Sequence, residues 1–217
     1  MKCPFCLEFE RPESFKDVVP IWPYNDRIII KNELAMAFPG LGPVVPHTPY
    51  ILVIPKSCSP SFLHTQNNER LAIFDILDGL LSDENMFPCR HALIFEHGGI
   101  VGNSGCKCID HCHLHVMNIA GAWARLPELL KTYHDDKDFY IGIDTPVSAI
   151  SYLFAGFYRY KSRVINGRLA TIKNCREPQF FRALIGQITG NEFDYRRQDN
   201  LGTMIEIYKK MVNKIKC

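Results

Sequence analysis

Residues 111–116 read His-Cys-His-Leu-His-Val, and this stretch constrains the chain more than any other. In an extended segment successive side chains point to opposite faces, so His111, His113 and His115 share one face while Cys112, Leu114 and Val116 share the other. One face is suited to chemistry and the other to packing. Alternate residues on a strand lie about 6.5–7 Å apart, so neighbouring imidazoles can share one metal ion but three in a row do not readily converge on one. Three of the eight histidines fall at period two within five residues, a pattern that favours divided labour over a shared centre.

The chain has 217 residues, 47% of them apolar, enough for one generous core with an appendage. A net charge of +2 and the absence of a long basic run give no sign of a nucleic-acid groove. No apolar run approaches the ~18 residues of a membrane span, and Met1–Cys6 is not followed by a signal-like segment, so a cytoplasmic protein is expected. The nine cysteines are odd in number and cluster near histidines, which favours metal ligation or burial over a disulfide framework.

Cys3 and Cys6 form a CxxC, a spacing that lets two thiolates meet one tetrahedral zinc, with a redox pair as the other reading. Residues 7–25, with three prolines, read as an irregular lead-in. Asp26–Ile30 and Leu34–Phe38 suit a hairpin turning at 31–33. The proline-rich Pro39–Pro49 is loop, and Tyr50–Ile54 is a continuous apolar strand placed mid-sheet. A helix is expected on the later part of Pro60–Ser82 and a strand at His91–Phe95. The glycines of 98–105, with Ser104, make a loop whose N–H groups can approach an anion.

Strand, Pro-Lys, helix, strand, Gly-rich loop and HxHxH, in that order, resemble the histidine triad (HIT) superfamily of nucleotidyl hydrolases and transferases. The matching residues are Leu34–Phe38, Ile51–Lys56, Phe95–Gly98 and His111–Val116, about half of the chain. The resemblance implies His113 as a nucleophile on the α-phosphorus, His115 handling a leaving-group proton, and loop donors with Ser104 and Lys107 at the phosphate. It also implies base or ribose contacts from Leu34, Phe38 and Glu96. Resemblance to the zinc-bearing branch implies a structural zinc on Cys3, Cys6, Cys58 and His111, with Cys58 where the family usually has His. Tyr50 stands where many members have another His. An adenosine-containing substrate and a homodimer follow from the family, and an adenylated nucleic-acid end stays open.

Beyond Gly121, Leu126–Tyr133 suits a short helix and Asp135–Asp138 a charged turn. Tyr140–Gly142 and Val147–Tyr160 suit strands, with a helix as the alternative for 147–156. Asn166-Gly167 has hairpin-turn chemistry between strands 158–165 and 168–173. Helical spacing recurs over Pro178–Ile188 and Glu206–Lys216. On the first, Gln179 and Arg182 either reach a substrate or form the polar face of a packing helix. The expected fold is thus α+β and HIT-like: a mainly antiparallel sheet with flanking helices, residues 1–125 as the catalytic domain and 126–217 as an α/β extension packed on it. The expected activity is that of a phosphoramidase or dinucleoside polyphosphate hydrolase. Two alternatives remain open: a metal-dependent hydrolase with His111, His113 and His97 as ligands and Glu96 as base, and a nucleotide-binding module without turnover.

Overall fold

A computed structural model describes residues 3–42, 44–99, 109, 111–119, 125, 137–148, 150–171, 180–191 and 201–215. The described strands are β1 (Ile30–Lys31), β2 (Ala35–Pro39), β3 (Tyr50–Pro55), β4 (His91–Gly98), β5 (Leu114–Met117), β6 (Lys137–Gly142), β7 (Tyr152–Arg159) and β8 (Val164–Thr171). They form one eight-stranded sheet in the order β1-β2-β3-β5-β4-β7-β8-β6, with every pairing antiparallel. The helices are α1 (Pro4–Glu10), α2 (Phe15–Val18), α3 (Asn67–Leu81), α4 (Phe180–Thr189) and α5 (Leu201–Ile215). This is the expected α+β architecture of a mainly antiparallel sheet with flanking helices.

The sheet is apolar on both faces because it is covered on both. On one face Ile51, Val53, Ile94, Leu114 and Val116 pack with Phe74 and Leu77 of α3 and with Met204 and Ile207 of α5. On the other, Phe38, Leu52, Leu93 and Phe95 pack with Phe5 of α1 and with Phe181 and Ile185 of α4. α3 begins with a capping box between Gln66 and Glu69, which satisfies orphan N–H groups of its first turn. No helix among the described residues is long and apolar enough to cross a membrane.

The hairpin of residues 26–38 forms with a shorter first strand, Ile30 pairing with Ala37, and β3 lies mid-sheet between β2 and β5. The lead-in differs from expectation. Pro4 opens α1 as its first residue, where a missing N–H costs nothing, so the CxxC sits on a helical turn. Residues 152–159 are strand, and α5 starts at Leu201, earlier than expected.

The largest correction concerns Asn166-Gly167, which lies inside β8 and makes no turn. β7 and β8 are joined through residues 160–163, where Lys161 and Arg163 adopt positive φ. Gly167 is needed for close approach. A Cβ there would lie 2.2 Å from the Ala155 carbonyl oxygen and 2.5 Å from the Gly156 Cα. The expected helix at 126–133 lies outside the described residues, as do 135 and 136 of the charged turn, whereas Lys137 and Asp138 open β6 and are strand, not turn.

Candidate metal centre and cleft

β5 organises two neighbouring groups of side chains. The first is a cluster in which the ligand atoms of Cys3, Cys6, Cys58 and His111 all lie within 4.8 Å of one another. Cys3 is the residue preceding α1 and Cys6 lies one turn in, so the helix start presents both thiols to the same point. Cys58 comes from the turn after β3. That turn is tied to the histidine segment by the bond from Cys112 N–H to the Ser59 carbonyl, 2.6 Å. His111 Nε2–H donates to the Pro55 carbonyl at 2.9 Å, which leaves Nδ1 as the lone-pair nitrogen. That nitrogen stands 3.4 Å from Cys3 Sγ and 3.6 Å from Cys6 Sγ.

A tetrahedral zinc with ~2.3 Å bonds to sulfur spaces its ligands ~3.8 Å apart, so this set fits such an ion in spacing and donor chemistry. The Pro55 bond is the outer-shell contact that orients a ligating imidazole. Burial lowers the pKa of His111, so the neutral, ligating form is favoured. Burial, followed by the neighbouring Cys58 and Cys3, pushes Cys6 up to about 12. A bound cation reverses that order, because a coordinated thiol is deprotonated.

The second group lines a cleft of about 200 Å³ on the same face of the sheet. His113 Nδ1–H donates to the His111 carbonyl at 2.7 Å, leaving Nε2 as its lone-pair nitrogen. His115 lies 5.0 Å from His113, centroid to centroid. Its ring is stacked on Phe95 at 4.5 Å and on Tyr50 at 5.7 Å, and Nδ1 is 2.7 Å from the Tyr50 hydroxyl. Burial, then the charges of His113, Arg182 and His97, hold His115 well below its ordinary pKa. It is therefore a neutral imidazole near pH 7.

Phe5 couples the two groups, because its ring sits 5.6 Å from both His111 and His113. α1 is fastened a second time by Glu8, whose two oxygens each accept from Arg27 at 2.7 Å. The Arg27 guanidinium lies between the rings of Phe15 and Phe38, at 4.0 and 3.8 Å. Arg27 also lines the cleft.

His113 and His115 line the cleft together, as the alternation at 111–116 requires, while Cys112, Leu114 and Val116 pack on the α3 face. Three candidates lie elsewhere. Glu96 faces the α3 side, where it is buried, accepts from the Phe62 N–H at 2.9 Å and is bonded by the Tyr152 hydroxyl. The reason is strand parity: Phe95 pairs with His115, so the next residue points the other way. Leu34 packs against the α3-side core, and Phe38 is fully buried beneath Arg27. Ser104 and Lys107 lie outside the described residues, as does Gln179.

Sequence reasoning passed over Phe5, Arg27, Phe95 and Phe181 as cleft residues, although parity with His115 was a signal for Phe95, and it named His97 only as a ligand in the metal-dependent alternative. Arg182, read from sequence as either a substrate contact or part of a packing face, lines the cleft.

The class these observations define is an α+β protein with a Cys3His cluster beside a histidine-lined cleft. No protein-family model and no curated protein matches the chain. Among solved structures it is similar to a hypothetical histidine triad nucleotide-binding protein from Sulfolobus tokodaii, at 20% identity and a TM-score of 0.36, over 52% of this chain and 66% of that one. It is also similar to a DUF4931 family protein from Bacillus cereus, at 9% identity and a TM-score of 0.38, over 84% of this chain and 98% of that one.

Proposed function

We propose that this protein is a nucleotide hydrolase or transferase acting at an α-phosphorus through a nucleotidyl-histidine on His113. The observation that carries the reading is the bond from His113 Nδ1–H to the His111 carbonyl. It commits the other nitrogen, Nε2, to be a lone pair on a side chain that lines the cleft. In the first step Nε2 forms a bond to phosphorus, and the bond to the leaving group breaks with its electron pair going to that group. Water or another acceptor then attacks the same phosphorus and returns the pair to Nε2. His115, beside His113, handles the leaving group's proton, and the 98–105 loop with Ser104 and Lys107 stabilises the phosphate oxygens.

Zinc is the proposed ion for Cys3, Cys6, Cys58 and His111, where it would supply structural cross-linking. Those four residues then orient the start of β5 and hold Phe5 against His113. In this reading residues 1–125 carry the chemistry, and residues 126–217 are an extension that lends the cleft a wall. An adenosine-containing substrate of the phosphoramidate or dinucleoside polyphosphate kind, a homodimer and a cytoplasmic location belong to the same proposal. Glu96, facing the other side of the sheet, leaves the metal-dependent alternative without its base.

The test is AMP release from adenosine 5′-phosphoramidate by wild type and by His113→Ala, with zinc content measured on both. The expected result is a rate at least ~10³-fold lower in the variant with zinc retained. Loss of zinc together with activity would point to a catalytic metal, and no AMP from wild type would remove this substrate class.

A further inference from the structure

Arg182 brings a cation from the C-terminal region into the cleft. It lies on α4, well beyond the stretch that carries the histidines, yet it lines the same cleft as His113 and His115. The side chain is buried, at 8% exposure. Its Nη2 donates to the Leu41 carbonyl at 2.7 Å and also to the Gly42 carbonyl. The guanidinium stands 5.2 Å over the ring of Tyr50, the residue whose hydroxyl meets His115 Nδ1.

These contacts give a planar, permanently charged donor a fixed position in an aromatic wall, on the His115 side of the cleft. A guanidinium held in place by such bonds is a preorganised donor for an anion that enters the cleft beside it. Its charge reaches His115, being one of those that hold that imidazole below its ordinary pKa.

Resting on the reading of His113 as nucleophile, we propose that Arg182 is a specificity-determining residue that holds a phosphate of the leaving group and so selects polyphosphate substrates over those that release an amine. When His113 Nε2 bonds to the α-phosphorus of a polyphosphate, the P–O bond breaks and its electron pair stays on the bridging oxygen. The departing phosphate gains a negative charge beside the guanidinium, which meets that charge as it forms. A departing amine needs a proton instead. A guanidinium donates hydrogen bonds and is not a proton source, so it offers such a group no comparable help.

The test compares kcat/KM of wild type, Arg182→Gln and Arg182→Lys on diadenosine triphosphate and on adenosine 5′-phosphoramidate. Both substrates deliver the same adenylyl group to His113, but one releases ADP and the other ammonia. In Arg182→Gln the ratio of triphosphate to phosphoramidate kcat/KM falls at least ~10-fold, the scale of one lost charge-assisted hydrogen bond, and Arg182→Lys restores part of it. A fall shared equally by both substrates would mean that Arg182 only braces the 41–42 loop, and would overturn the proposal, as would an unchanged ratio. If wild type releases AMP from neither, the His113 reading fails and Arg182 is judged by binding. Calorimetry with ADP and AMP then upholds the anion site if wild type prefers ADP and Arg182→Gln loses that preference, and overturns it otherwise.

Discussion

Two walls enclose the histidine-lined cleft, and different forces hold them. The α1 wall carries Phe5 and is fastened at two points: the Cys3, Cys6, Cys58 and His111 cluster, and the Glu8–Arg27 pair in which both ends are buried. The α4 wall carries Phe181 and Arg182. It is held by ring packing, with Phe181 5.3 Å from Phe95, and by the guanidinium on the Leu41 and Gly42 carbonyls. Directional, charged attachments fix the α1 wall beside the nucleophile candidate, where an error of an ångström is costly. The α4 wall is positioned by ring packing, by Arg182 and by the Arg125 guanidinium, which donates to the Ile188 carbonyl at 3.2 Å, and it is better suited to deciding what fits in the cleft.

The comparison breaks most visibly if the cluster is dismantled. Cys6→Ser, or prolonged chelation, is expected to lower the melting temperature by more than ten degrees, because a metal held there would contribute several kcal/mol and its loss would free the start of α1. Scanning calorimetry with metal analysis checks this, and an unchanged melting temperature in metal-free protein would show that the cluster does not hold the wall.

Next comes Arg27→Met, which leaves the Glu8 carboxylate buried without its fork. A loss of about 3–5 kcal/mol is expected, measured by denaturant titration, with the metal content unchanged because the cluster is a separate attachment. A loss below 1 kcal/mol would mean that water reaches Glu8 and the second fastening is weak.

The smallest effect belongs to the α4 wall. Gly42 has φ +64°, and a Cβ there would lie 2.7 Å from Arg182 Nη2. Gly42→Ala should cost about 1–2 kcal/mol through its left-handed backbone while displacing the guanidinium without removing its charge. Its selectivity between polyphosphate and phosphoramidate should shift in the direction of Arg182→Gln and by less.

Local pattern explains why some of this was readable from the chain. Period two at 111–116 separates imidazoles from packing residues whatever covers the strand, and Cys112, Leu114 and Val116 indeed face α3. The CxxC spacing brings two thiols together within one turn of chain, and Cys58 and His111 complete the set as the resemblance implied. Asn166-Gly167 misled because the dipeptide suits a hairpin turn, whereas in β8 the glycine serves a backbone passing closer than any side chain allows. Glu96 misled because its face depends on the register between β4 and β5, and a shift of one residue would reverse it.

The sequence by itself determined the alternation of the histidines, the ligand types of the cluster, and the helices and strands with strong periodicity. Only the tertiary structure decided that Glu96 turns away from the cleft, that Arg27 is bound to Glu8, and that Arg182 comes from the far end of the chain to stand over Tyr50. The physical reason is that periodicity sets the face of a residue relative to its own element. Which other element covers that face depends on how the two sides of the sheet are filled, and those contacts join residues more than a hundred positions apart, as Arg182 and Leu41 show.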